Sequence, residues 1–206
     1  MRTRLPRAVL PLLLLPAGAC RGTLSRIPDG LRSSDPKKVF LAIDEIAGAS
    51  EPAGAPALLF LMRKRDLDLA LRTRAASALA EMGFPIGEDF CLAVLGALLP
   101  GSEETDRLFG IPKTDRLAFP REIALLFLEK RIREAGKTPP FYDVNQGAPD
   151  LRKGQAAFRE RIRALPALRP RFPEDAVPLS PPPGFTDLPW AELRSGLFRA
   201  SNRRRS

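Results

Sequence analysis

The chain of 206 residues is long enough for one ordinary domain with tails, because a domain takes roughly 100 to 200 residues. Its 33 Lys and Arg against 24 Asp and Glu give a formal net charge of +9, and loss of Arg2, Arg4 and Arg7 with residues 1–19 would leave +6, a balance that favours anionic partners. The absence of His removes the commonest general base together with the commonest metal ligand, and two Cys are too few for a disulfide framework.

Residues 1–7 carry three Arg, residues 8–16 are Leu-rich and apolar, and Ala17, Gly18 and Ala19 are small, which is the order of regions in an export signal. Pro11 and Pro16 cut the apolar run well below the about 20 residues that span a bilayer, so cleavage is expected rather than an uncleaved anchor. The run Leu15-Pro16-Ala17-Gly18-Ala19-Cys20 resembles the lipobox of bacterial lipoproteins, with Ala17 where that family prefers Leu. The resemblance implies a signal peptide over 1–19, lipidation of Cys20, and a place in the cell envelope anchored to a membrane. Cleavage without a lipid would instead give a soluble secreted or periplasmic protein. Residues 20–34 are polar and aperiodic and suit a short tether.

A helical domain is expected over 35–165. Asp35-Pro36 offers an N-cap and a first-turn proline, and Val39, Ala42, Ile43, Ile46 and Ala47 follow on one stripe that Gly48 would end. Further helices are expected at about 55–64, 68–82 and 87–99, the second stopped by Gly83 and the third apolar on nearly every side. Residues 100–119 read as an inserted loop, and the last two helices fall at about 120–135 and 149–165. No alternating strand pattern occurs. Eight Pro between 166 and 190 predict a chain that is neither helix nor sheet, so 166–206 reads as a Pro-rich, basic and largely disordered tail.

A shift of 36 residues superposes Val39, Ala42, Ile43 and Ile46 on Ala75, Ala78, Leu79 and Met82. A period of that length built from helix pairs belongs to solenoids. The run Leu71-Arg72-Thr73-Arg74-Ala75-Ala76-Ser77-Ala78-Leu79-Ala80-Glu81-Met82-Gly83 resembles the first helix of a HEAT-like repeat, with Arg121–Phe127 opening a more degenerate unit. That resemblance implies an all-α fold, a short solenoid of helix pairs, and a scaffold role in which a partner protein binds along the stack. Some bacterial members of the group attach bilins to cysteines of other proteins, and no residue here matches that activity.

Chemistry is sparse. Cys91, among Phe90, Leu92 and Val94, reads as an inert core thiol. Glu88-Asp89 and Glu103-Glu104 read as solvated charge, the first pair favoured by a helix N-terminus. Asp143 and Asn145 lack the remaining donors of a calcium loop, and Asp68 with Arg72 fits a helical ion pair or a ladder between repeats. No cofactor or metal site is expected. Arg194, Arg199, Arg203, Arg204 and Arg205, around a Leu193, Leu197 and Phe198 stripe, could touch anionic lipid or glycan. These features predict a non-catalytic envelope lipoprotein that binds another envelope protein and no nucleic acid. The alternatives are an enzyme of the HEAT-like group, lyase or hydrolase, and a basic adhesion module.

Overall fold

The computed structural model describes residues 27–97, 107, 109–111, 118–144 and 148–202. Cys20, the segment read as a signal, Glu103-Glu104, Asn145 and Arg203 to Arg205 lie outside the described residues. Among the described residues the chain is all-helical. Its elements are α1 (Pro36–Ala49), α2 (Ala55–Arg63), α3 (Leu69–Glu81), α4 (Pro85–Gly96), α5 (Ala118–Glu134), α6 (Ala148–Arg163) and α7 (Trp190–Asn202), with short 3-10 turns at Asp29–Arg32, Pro52–Gly54 and Glu174–Ala176.

Asp35 caps α1 by accepting a hydrogen bond from the Lys37 N–H at 2.9 Å, and Pro36 occupies the first turn, where no intrahelical donor is lost. The expected stop at Gly48 is not used. The helix runs on to Ala49, and Ser50 adopts the left-handed conformation at φ 49°, with the Ser50 and Glu51 N–H groups turned back to the Ala47 and Ile46 carbonyls. The segment expected as a tether is also shorter than predicted, because Ile27 and Leu31 are buried and the turn Asp29–Arg32 packs on α1. Polarity alone hid two apolar anchors at the end of that segment.

Helix α3 is the centre of the fold and packs against α1, α2, α4 and α5. Its composition explains why. Ala70, Ala75, Ala76, Ala78 and Ala80 are buried on different sides of the helix, and a methyl group lets a neighbouring axis approach closely wherever it points. Gly87 at the start of α4 carries this further, since a Cβ there would lie 2.1 Å from the Ala76 carbonyl oxygen. Helix α4 starts at Pro85, two residues before the expected boundary, and Gly83 stops α3 at φ 90° as its spacing predicted.

The tail differs most from expectation. Residues 166–189 do form no regular structure beyond one 3-10 turn, yet they return across the helices, and the Arg171 N–H donates to the Met82 carbonyl at 3.0 Å. Passage of the chain here requires Gly83 to have no side chain, because a Cβ would meet the Arg169 carbonyl oxygen at 1.9 Å. Phe172 and Phe198 both meet the Phe84 ring edge-on, at 5.6 and 5.5 Å between centroids. Helix α7 then lies on α2 and α4, with Trp190, Leu193 and Leu197 buried in the same continuous core as α1 to α6. The described part of the tail is therefore ordered against the core. The stripe was legible, but a helical stripe states only that an apolar surface will cover it, and here that surface is the nearly all-apolar helix α2 rather than a membrane.

Candidate functional site

The described surface offers one groove whose walls are apolar and whose charges are already balanced. Its floor is α3, where Arg74, Ser77 and Glu81 fall at i, i+3 and i+7 on one face; its walls are Phe40 of α1 and Ile123, Leu126 and Phe127 of α5. The cavity between them measures about 250 Å³. Leu126 is 69% exposed, and Leu41 of α1 and Phe119, one heptad before Leu126, are 67% and 57% exposed. Exposed single leucines are ordinary, but Leu126, which lines a concave floor, is more informative.

Four charges cross this groove in alternation. Arg74 Nε donates to Asp44 Oδ1 at 2.6 Å, Arg74 Nη1 lies 3.9 Å from Glu81 Oε2, and Lys130 Nζ lies 3.8 Å from Glu81 Oε1. Arg74 Nη1 also donates to Ser77 Oγ at 2.7 Å, and its guanidinium sits 6.0 Å from the Phe40 ring centroid. The chain Asp44, Arg74, Glu81, Lys130 links α1, α3 and α5 with zero formal net charge. It replaces the ladder expected from Asp68 and Arg72. Asp68 instead caps α3 through the Ala70 N–H at 2.8 Å, and Arg72 turns inward.

Arg72 is fully buried and is held by backbone carbonyls. Its Nε donates to the Met62 carbonyl at 2.9 Å, its Nη1 to the Gly110 carbonyl at 2.8 Å and its Nη2 to the Phe109 carbonyl, while the guanidinium carbon lies 5.4 Å from the Phe90 centroid. Burial lowers its pKa, with a further push from the Arg65 charge. Sequence spacing could not find this role, since the i, i+4 relation to Asp68 points to a surface pair. The carboxyl end of α4 is closed in the same manner: Arg121, Tyr142 and Gln155 donate to the Ala97, Leu95 and Leu92 carbonyls at 2.7, 2.8 and 3.3 Å.

The carboxylate pair read as solvated also changes character. Glu88 is only 2% exposed, and its Oε2 lies 3.6 Å from Arg131 Nε of α5. Glu88 and Asp89 line an open cavity of about 530 Å³ together with Arg159 and Arg163 of α6, so cations accompany the acids there. Cys91 is buried, and burial pushes its thiol far above the ordinary range, which leaves it unreactive.

Of the five tail arginines proposed to touch an anionic surface, Arg194 is committed inside the molecule. Its Nε donates to the Val177 carbonyl at 3.2 Å, its Nη2 to the Glu174 carbonyl at 2.8 Å, and its Nη1 pairs with Glu174 Oε1 at 3.1 Å. Arg199 is exposed on α7. The tail is thus a folded element first, and of the five arginines Arg199 is the one exposed among the described residues. Among the described residues no helix is long and apolar enough to cross a membrane. Set against models of known families, curated proteins and solved structures, the chain matches none.

Proposed function

We propose that this chain is a non-catalytic interaction module of the cell envelope, exported through residues 1–19, held at a membrane by a lipid on Cys20, and binding an amphipathic helix of another envelope protein in the α1, α3 and α5 groove. The observation that carries the reading is the neutral ion chain on the floor of a groove with apolar walls. Because Asp44, Arg74, Glu81 and Lys130 satisfy one another, the groove has apolar area to offer and no net charge to select a polyanion. A helix with leucines at i, i+3 and i+4 presents the complementary surface, the recurring helix-in-groove mode.

Helix α3 between α1 and α5, with α1 and α3 related by the 36-residue shift, supports a short HEAT-like solenoid, and the Asp44 to Arg74 pair supplies the ladder such stacks use. The basic adhesion reading is weakened by the internal engagement of Arg194. The enzyme reading has the cavity beside Glu88 and Asp89 in its favour, but Arg159 and Arg163 line it with them and Arg131 lies against Glu88.

Crosslinking in the native envelope, followed by pull-down at low and high salt, tests the proposal. A protein partner retained at high salt and lost in Leu126→Glu supports it, because an apolar interface is little screened. Salt-labile retention of glycan or lipid, unchanged in Leu126→Glu, would replace it with adhesion. Cys20→Ser is expected to move the protein into the soluble fraction, and identical fractionation of the two forms would remove the anchor from the reading.

A further inference from the structure

The outer stripe of α5 is laid out so that it complements itself. Phe119, Glu122, Leu126, Lys130 and Arg133 fall on one face of the helix at i, i+3, i+7, i+11 and i+14, and all five are exposed. The apolar side chains stand in the first turn and at the middle. The charges are separated along the axis, with Glu122 toward the amino end and Lys130 and Arg133 toward the carboxyl end. Glu122 makes no ion pair among the described residues.

Both cations are open to a further carboxylate. Lys130 is 59% exposed, and its Nζ stands 3.8 Å from Glu81, beyond hydrogen-bond range, on a carboxylate that it shares with Arg74. Arg133 is 61% exposed and engages Glu129 through Nη2 at 2.7 Å, whereas a guanidinium carries five donors.

Two copies of this helix laid parallel and in register would set Glu122 on Glu122 and Arg133 on Arg133. Laid antiparallel and crossing near Leu126, they set Glu122 of each copy against the Lys130 and Arg133 end of the other. A face that attracts its own copy in one orientation and repels it in the other suits a two-fold interface, in which the same patch serves both sides. Leu126 of each copy then meets the groove of the other beside Phe40, Ile123 and Phe127, where a cavity stands open. Exposed apolar area leaves water on both sides at once.

We propose that, when no partner helix is present, a second copy of this chain covers the α1, α3 and α5 groove through antiparallel α5 helices. This rests on the reading of the groove as a docking surface and adds its regulation, since the copy must leave before the partner enters. One helix face against another is at the small end of specific interfaces, so the dimer is reversible.

Sedimentation velocity of the purified full chain over a range of concentrations is expected to show monomer and dimer in exchange. Glu122→Lys sets cation against cation and is expected to weaken the dimer about tenfold or more, and Glu122→Lys with Arg133→Glu to restore it. In the Cys20→Ser chain, Leu126→Cys is expected to oxidise to a dimer joined at that position, and Lys153→Cys, exposed on α6, is not. Monomer at every concentration overturns the proposal. So does a Glu122→Lys chain that associates like the original, or equal disulfide formation at positions 126 and 153. Glu122→Lys leaves Leu126 and the groove walls in place, so it should capture the envelope partner at least as well as the original chain, and capture lost together with the dimer would also overturn the proposal. Absence of any salt-resistant partner, beside a dimer that responds to Glu122→Lys, would remove the envelope partner and leave self-association standing.

Discussion

Arg72 Nε and the Met62 carbonyl oxygen, ten residues apart in sequence and 2.9 Å apart in space, tie the first turn of α3 to the carboxyl end of α2. The same guanidinium holds Phe109 and Gly110, so a single buried cation closes a helix end and pins a loop. Arg72→Met keeps most of the side-chain volume but strands these carbonyls. The expected loss is about 3 kcal/mol or more in urea unfolding, since unpaired buried polar groups cost about 1 to 3 kcal/mol each. Amide exchange at Phe109 and Gly110 should quicken in the same variant, and a change below about 1 kcal/mol would show that the loop recloses without the cation.

Arg32 holds the Asp187 carboxyl below its usual range, chiefly through the side-chain hydrogen bond. A depressed folded-state value means the contact contributes above the unfolded value of about 3.9 and is lost as pH falls through the folded value. Joining of the two chain ends should therefore be unaffected between pH 7 and about 5 and weaken in more acid solution. Asp187→Asn should remove that acid-dependent step, read as the pH dependence of carboxyl and amide chemical shifts around Phe185 and Leu188.

Leu197 is fully buried in α7, which lies on α2 and α4. Leu197→Ala is expected to destabilise the whole chain by about 2 to 5 kcal/mol, the range for truncating a core leucine. A helix that rested on a membrane would instead lose vesicle binding with no change in unfolding. Parallel measurement of the two quantities distinguishes a folded α7 from a membrane-bound one.

Gly48 lies inside α1 with open space where its Cβ would be, and Ser50 takes the left-handed turn. Gly48→Ala should stabilise the protein by about 0.5 to 1 kcal/mol, the ordinary gain of alanine over glycine within a helix. Ser50→Val should cost about 1 to 2 kcal/mol, because a β-branched side chain crowds the left-handed conformation. Thermal unfolding of the two variants checks the pair, and reversed signs would return the helix stop to Gly48.

Phenolate formation offers an independent probe of the α4 end. Tyr142 donates to the Leu95 carbonyl at 2.8 Å, and burial pushes its hydroxyl up to about 12. The raised value means the unfolded chain ionises first, so stability should fall as pH rises above about 10. Tyr142→Phe should remove this alkaline step while costing about 1 kcal/mol near neutrality, the net worth of one hydrogen bond.

Helix positions and the inward stripes of α1 and α3 were readable from the chain because they depend on local spacing. Apolar residues at three and four, Asp35 before Pro36, and Gly83 before Pro85 all act within one or two turns. The absence of an alternating pattern likewise excluded strands, and the described residues contain none. What packs on a stripe is a different quantity, fixed by distant partners. Leu193 and Leu197 had the same spacing whether α7 met a bilayer or α2, and only the apolar surface of α2, with Leu59 beside Gly196, decided between them.

Charged residues carried still less local information. Arg72 and Arg74 are two residues apart on one helix, yet the 3.6-residue turn points one into a cage of carbonyls and the other into the groove toward Asp44. Glu88 passed for solvated charge until α5 brought Arg131 against it. The sequence by itself determined which segments are helical and which faces must leave water, because those follow from side-chain periodicity and backbone capping. The tertiary structure alone decided where the charges go and what the tail covers, since a long polar side chain costs little to redirect and its partner lies beyond the local turn, 10 residues away for Arg72 and Met62 and 30 for Arg74 and Asp44.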